Sequence, residues 1–195
     1  MPSLSLPKLT INFSSYQTVI DELEGLAYQA RFLEPCPESI RFHQSFVSLI
    51  RRYRHSLAQL NDRTTVLFRS VPGISPSHLT PRGCALVDVK IVHELQSLTK
   101  NIRKEVVAVL HALENHDKVE PPQAEGALEI IDGVLARGND LGERAREAAL
   151  RAGAAEGEVL LTEQGDNEAF LGVIQSHTIP ESITTLTYPS QTQGF

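Results

Sequence analysis

Residues 38–70 read ESIRFHQSFVSLIRRYRHSLAQLNDRTTVLFRS. Within them Phe46, Ile50, Tyr53, Leu57, Leu60, Thr64 and Leu67 recur at alternating steps of four and three. That spacing keeps one side of a helix apolar, the seam that a coiled coil or a helical bundle buries. Neither Gly nor Pro interrupts the stretch. Asn61-Asp62 is the one weak point, and because the register survives it, the sequence predicts a single helix running on through Leu67.

The flanking segments repeat the same theme. Val19, Leu23, Leu26, Ala30 and Leu33 form a stripe on a preceding helix, with Ser14-x-x-Gln17 fitting a capping box at its start and Pro35-Cys36-Pro37 at its end. Residues 71–81 carry Pro72, Gly73, Pro76 and Pro81 and read as a loop. Ser75-Pro76 and Thr80-Pro81 in that loop match proline-directed phosphorylation sites, although turn chemistry alone accounts for both. A third helix is predicted from Pro81 or Gly83 to His116 on Val87, Ile91, Leu95, Leu98, Ile102, Val106, Val109 and Leu113. Its steps of four, four and three make an eleven-residue period, which keeps a helix nearly straight and argues for a compact bundle over a long left-handed coiled coil.

Pro121 and Pro122 suit the first turn of a fourth helix, whose stripe is Ala124, Leu128, Ile131 and Leu135. Arg137-Gly138-Asn139-Asp140 then reads as a stop, a turn and a new cap. Residues 141–161 are Ala- and Glu-rich, with a small apolar face and fraying expected near Gly153 and Gly157. From residue 162 the composition shifts toward Ser and Thr, and Ile183, Leu186 and Tyr188 suggest at most a short extended segment. The expected organisation is all-α: an irregular arm over 1–13, an antiparallel bundle of four to five helices over 14–162, and a largely disordered tail over 163–195.

Composition sets outer bounds on function. The chain of 195 residues suits one domain, with 41% hydrophobic and 22% charged residues and no Trp. Its net charge of −6 is unevenly placed: residues 1–100 hold 11 basic and 8 acidic side chains, residues 101–195 hold 7 and 16. The halves can attract each other, or the acidic half can face a basic partner. This balance argues against a broad nucleic-acid surface, which needs a concentrated positive field. Cys36 and Cys84 stand 48 positions apart without a C-x-x-C pair, so neither a disulfide framework nor a cysteine zinc site is expected. The N-terminus lacks a signal pattern and no apolar run is long enough to span a bilayer, so the expected compartment is cytoplasmic or nuclear. Asn12-Phe13-Ser14 matches a glycosylation acceptor but reads better as a helix start.

Catalytic and cofactor motifs fail one by one. There is no phosphate-cradling glycine loop and no nucleophile elbow; Gly73-Ile74-Ser75-Pro76-Ser77 has the wrong fifth residue. None of the seven histidines follows a Glu by three positions, which excludes the Glu-x-x-His pattern of a di-iron bundle, and His93-Glu94 lacks the second His of a zinc helix. His93 with Glu94 and His111 with Glu114 are the remaining local acid–base pairs. No catalytic residue, metal or cofactor is therefore expected.

Arg51, Arg52, Arg54 and His55 form the one basic cluster, spread around more than half of the helix while Tyr53 points inward. They read either as a solvated face paired with acids of the C-terminal half such as Glu125 and Glu129, or as a contact for an acidic partner, a phosphate or an anionic lipid. The resulting expectation is a non-catalytic interaction or scaffold protein working through a protein partner or self-association. The alternatives are a membrane-associating adaptor using the basic face, a weaker fit for a seam buried among other stripes, and a bundle with a small-ligand pocket.

Overall fold

Cys36 opens the central helix. Its Sγ accepts the Ser39 amide at 3.4 Å while Ser39 Oγ accepts the Cys36 amide at 3.0 Å, a reciprocal cap with a thiol in the usual hydroxyl position. Pro37 follows at the first helical position, where a missing N–H costs nothing. The computed structural model describes residues 9–33, 35–70, 73–115 and 123–179. It is all-helical, with no strand among the described residues: α1 (Ser14–Arg31), α2 (Pro37–Asn61), α3 (Arg63–Ser70), α4 (Pro81–Glu114), α5 (Glu125–Arg151), α6 (Glu156–Gln164) and α7 (Asn167–Gln175), plus a 3₁₀ turn at Pro76–His78. Four of the seven are long enough to build a bundle, which is why stripe-counting yields four to five. Pro121, Pro122, Ile183, Leu186 and Tyr188, with the expectations attached to them, lie outside the described residues.

The long helices α1, α2, α4 and α5 form a closed ring in which each packs on the next and α5 returns to α1. Directions alternate. Arg52 and Tyr53 of α2 meet Glu105 and Thr99 of α4 in descending order, and Gln96 and Arg103 of α4 meet Asn139 and Asp132 of α5 likewise. The inward stripes supply the core: Val19, Leu23, Leu26, Phe46, Tyr53, Leu60, Leu95, Ile102, Val106, Ile131 and Val134 are all essentially inaccessible to water. Burial of each such side chain contributes roughly 1.5–3 kcal/mol, most of it offset by lost chain entropy.

α4 is longer than its partners, about 51 Å against about 27 Å for α1 at 1.5 Å per residue. Its N-terminal third is coated by α3 and α6, with Phe170 of α7 against Lys90. The coating explains why seven consecutive residues, Leu86 to Val92, are buried on every side of the helix, Asp88 and Lys90 included. Arg63 pairs with Asp88 at 2.5 Å. Lys90 Nζ donates to the Gly165 carbonyl at 3.4 Å and lies 5.5 Å from the centre of the Phe170 ring.

Several local expectations are corrected. The central helix does not continue past Asn61: Asp62 is extended (φ −105°, ψ 107°), and its carboxylate accepts the Thr64 amide and the Thr65 hydroxyl, capping α3 as a separate helix. Leu67 stays buried because one extended residue turns the chain without moving its apolar face away from the core. At the start of α1 the Asn12 Oδ1 accepts the Ser14 amide at 3.0 Å and the Ser14 hydroxyl at 2.5 Å, in place of the Ser14–Gln17 box.

The stop expected at Gly138 is absent, and α5 runs through it to Arg151. Gly138 is where Gln96 of α4 crosses; a Cβ there would sit 1.9 Å from Gln96 Oε1. The real break comes at Gly153, whose φ of +93° suits a residue without a Cβ at a helix C-terminus. Of the stretch 163–195, expected to be a largely disordered tail, residues 163–179 form ordered structure and residues 180–195 lie outside the described residues. Asp166 caps α7 through the Ala169 amide, and α7 buries Phe170, Val173 and Ile174. The chain then returns to the start of α4, where Thr80 N–H donates to the His177 carbonyl and Ile179 N–H to the His78 carbonyl.

Candidate docking groove

The outer face where α1 and α2 meet is concave. Ala27 on α1 and Ala58 on α2 are too small to fill the space between the two backbones, and a groove of about 630 Å³ results. Its apolar lining adds Tyr28, Val47 and Ile50, and its polar lining is Glu24, Arg31, His43, Arg51, Arg54 and His55. Large apolar side chains stand in water along this face: Tyr28 is 63% exposed, Phe32 69% and Ile40 54%. Tyr28 and Phe32 pack edge to face at 4.7 Å, which holds both rings as one unit. Ile40 lies seven residues, two helical turns, before Val47, so both belong to one outward stripe of α2.

The basic cluster is divided by its surroundings. Arg52 turns away from the groove to Glu105 on α4, and their hydrogen bond raises its pKa further above the ordinary arginine value. Arg54 reaches across to Glu24 on α1 at 2.6 Å. His55 bonds Gln59 Nε2 at 3.0 Å. Arg51 and Arg31 have no ion-pair partner among the described residues, and both border the groove. The expected partners Glu125 and Glu129 sit exposed on α5, and neither pairs with the cluster. His43 is held by its own contact: Nδ1 donates to the Ala27 carbonyl at 2.9 Å, which places its other ring nitrogen on the far edge of the ring.

The site thus joins Arg51, Arg54 and His55, named from sequence, to Arg31, His43, Tyr28, Phe32, Ile40 and Val47, which were missed. The missed residues left a legible trace. Tyr28 and Phe32 are four apart and Ile40 and Val47 seven apart, each pair off the inward stripe of its helix. A second apolar stripe on a helix that has already buried its first marks a second contact.

A polar groove between α4 and α5 includes His93, Lys100, Asn139 and Arg146, with Arg146 paired to Glu163 at 3.2 Å. The local acid–base pairs do not form: Glu94 pairs with Arg69 and approaches Lys90, and His111 bonds Asn115 in place of Glu114. Among the described residues no three His, Cys, Asp or Glu side chains are placed to hold a metal ion, Cys36 and Cys84 form no disulfide, and no helix is long and apolar enough to cross a membrane. A scan of the chain against models of protein families finds no match, and searches of curated proteins and of solved structures find none either.

Proposed function

We propose that this is a non-catalytic helical interaction protein that docks an acidic, amphipathic helical segment of a protein in the α1–α2 groove. The observation that carries the reading is the side-by-side exposure of Tyr28, Phe32 and Val47 with Arg31 and Arg51, two cations without an acidic partner among the described residues. Exposed aromatic and arginine side chains grouped around a concavity are the usual composition of a binding hot spot. Apolar residues would seat the inward side of the incoming helix, and the guanidinium groups would meet carboxylates on its flanks. A lipid surface fits less well. The face is concave where a bilayer is flat, and Glu24 stands in it about half exposed.

The test is fluorescence polarisation with two labelled designed helical peptides that share a leucine stripe, one carrying Glu and the other Lys at the remaining positions. The acidic peptide is expected to bind, with affinity falling as salt is added and falling roughly tenfold in Arg51→Glu. Equal binding of both peptides, or none, overturns the reading. Flotation of the full chain with anionic vesicles that is abolished by Arg51→Glu would replace it with the membrane alternative.

A further inference from the structure

The second surface that the fold leaves unaccounted for is the outward ridge of α6. Its inward side is committed, with Val159 and Thr162 buried against the bundle. Outward, Leu160 is 40% and Leu161 51% exposed, side by side at the middle of the helix. Glu156 stands one turn before Leu160, and Asp166 and Glu168 follow the helix end. All three acids are exposed, and none pairs with a basic side chain among the described residues. α6 therefore carries an apolar centre with an exposed carboxylate before it in the chain and two after it, the chemical inverse of the α1–α2 groove, which presents an apolar floor bordered by guanidinium groups. The dimensions agree as well. A helix of nine residues is about 14 Å long, and the groove follows α2 from His43 to Ala58, about 22 Å.

We propose that the occupant of the groove is α6 of a second copy of this chain. The proposal rests on the docking reading above and names its partner. α6 packs on α4, α5 and α7, whereas the groove belongs to α1 and α2, across the ring. One molecule's ridge thus meets another molecule's groove, a contact between two different surfaces. Such an interface leaves a free groove at one end and a free ridge at the other, so it propagates head to tail where a two-fold contact would close at a dimer. The uneven charge of the chain, basic excess in residues 1–100 and acidic excess in 101–195, is the long-range counterpart of this polarity.

The experiment is sedimentation velocity and light scattering on the full chain from micromolar to near-millimolar concentration, at low and high salt. The average mass is expected to rise with concentration and to fall with salt. Arg51→Glu blocks the groove and Leu161→Asp blocks the ridge. Each variant alone is expected to stay monomeric, with self-association weakened by roughly tenfold or more. Mixed in equal amounts they are expected to form dimers and nothing larger, since one supplies an intact ridge and the other an intact groove. Both substitutions are at exposed positions, and circular dichroism melts coincident with the parent exclude misfolding as the cause. The proposal is overturned if the parent chain is monomeric throughout, if either variant still associates, or if the mixture does not. A monomeric parent that still binds the acidic peptide through Arg51 refutes the second copy and leaves the docking reading standing; loss of both removes both.

Discussion

Gln96 of α4 lies directly over Gly138 of α5, so close that a Cβ at Gly138 would fall 1.9 Å from the Gln96 amide oxygen. The amide is anchored there by its nitrogen, which donates to the Leu135 carbonyl at 3.0 Å and to Asn139 Oδ1 at 2.7 Å. The pair sets how closely the two helices approach, and a side chain at residue 138 and the amide at residue 96 exclude one another.

Gly138→Ala is therefore expected to destabilise the fold. Displacing Gln96 costs about 1–3 kcal/mol of overpacking and lost hydrogen bonds, against a gain of about 1 kcal/mol in helix propensity. The sign should reverse when the obstruction is removed: in a Gln96→Ala background Gly138→Ala becomes neutral or stabilising. Urea unfolding of the four proteins of this cycle measures the coupling, and equal effects of Gly138→Ala in both backgrounds would show that the contact does not limit helix approach.

The same pair shows where reading a sequence runs out. Gly138 looks like a stop because a glycine after an apolar stripe usually ends a helix, and its true reason stands on another helix, at residue 96. Asp62 fails in the opposite direction: its break preserves the apolar register, so periodicity passes over it unchanged. α7 was legible locally, since Phe170, Val173 and Ile174 have helical spacing behind an Asp166 cap, but the Ser/Thr-rich composition of the wider segment hid a nine-residue helix. The inward stripes around Phe46 and Ile102 were readable because burial follows directly from spacing. Arg51, Arg52 and Arg54 were found as a cluster, but which of them stays unpaired depends on Glu24 and Glu105, carried by other helices.

Tyr53 and Thr99 pair their hydroxyls between α2 and α4 within the core, at 2.9 Å. Thr99 donates its proton to the Leu95 carbonyl at 2.8 Å, so the phenol is the donor. Burial pushes the Tyr53 pKa far above the ordinary phenol value, opposed in part by the Thr99 contact. A raised pKa in the folded state means that this contribution is complete below the unfolded value, near 10, and is lost as pH rises beyond it. Tyr53→Phe should cost about 1 kcal/mol in urea unfolding at neutral pH. It should also leave the alkaline absorbance titration of the folded protein unchanged; loss of a titrating phenol in the variant would show that Tyr53 reaches water.

Phe170 is the pin that holds α7 to the end of the bundle, fully buried beneath the Lys90 ammonium. Phe170→Ala removes a large core side chain and the ring face beside a buried cation, and is expected to cost about 3–5 kcal/mol. Hydrogen exchange should locate the damage: amides of α6, α7 and the first turns of α4 lose protection, while those around Phe46 and Ile102 keep it. Uniform loss of protection across both regions would mean that the capped end and the four-helix ring unfold as one unit.

Glu158 ties the returning chain to the start of α6 and makes the capped end sensitive to acid. Its Oε2 accepts the Ala155 amide at 2.8 Å, and its Oε1 accepts from His177 Nε2 at 2.7 Å. The Ala155 hydrogen bond is the largest influence holding its pKa below the ordinary 4.5, with His177 and Arg82 adding to it and burial opposing. A carboxylate whose pKa is lowered by folding stabilises the native state fully above the unfolded value, and that contribution disappears as pH falls through the depressed value. Glu158→Gln should therefore be less stable than the parent at neutral pH, and the gap should narrow steadily as urea unfolding is repeated down to about pH 3. Asp132 is also held low, by Arg103, so the parent retains an acid-dependent slope of its own and the informative quantity is the difference between the two proteins. A gap that stays constant across the range would mean that Glu158 acts through packing and its cap geometry, with its charge contributing nothing.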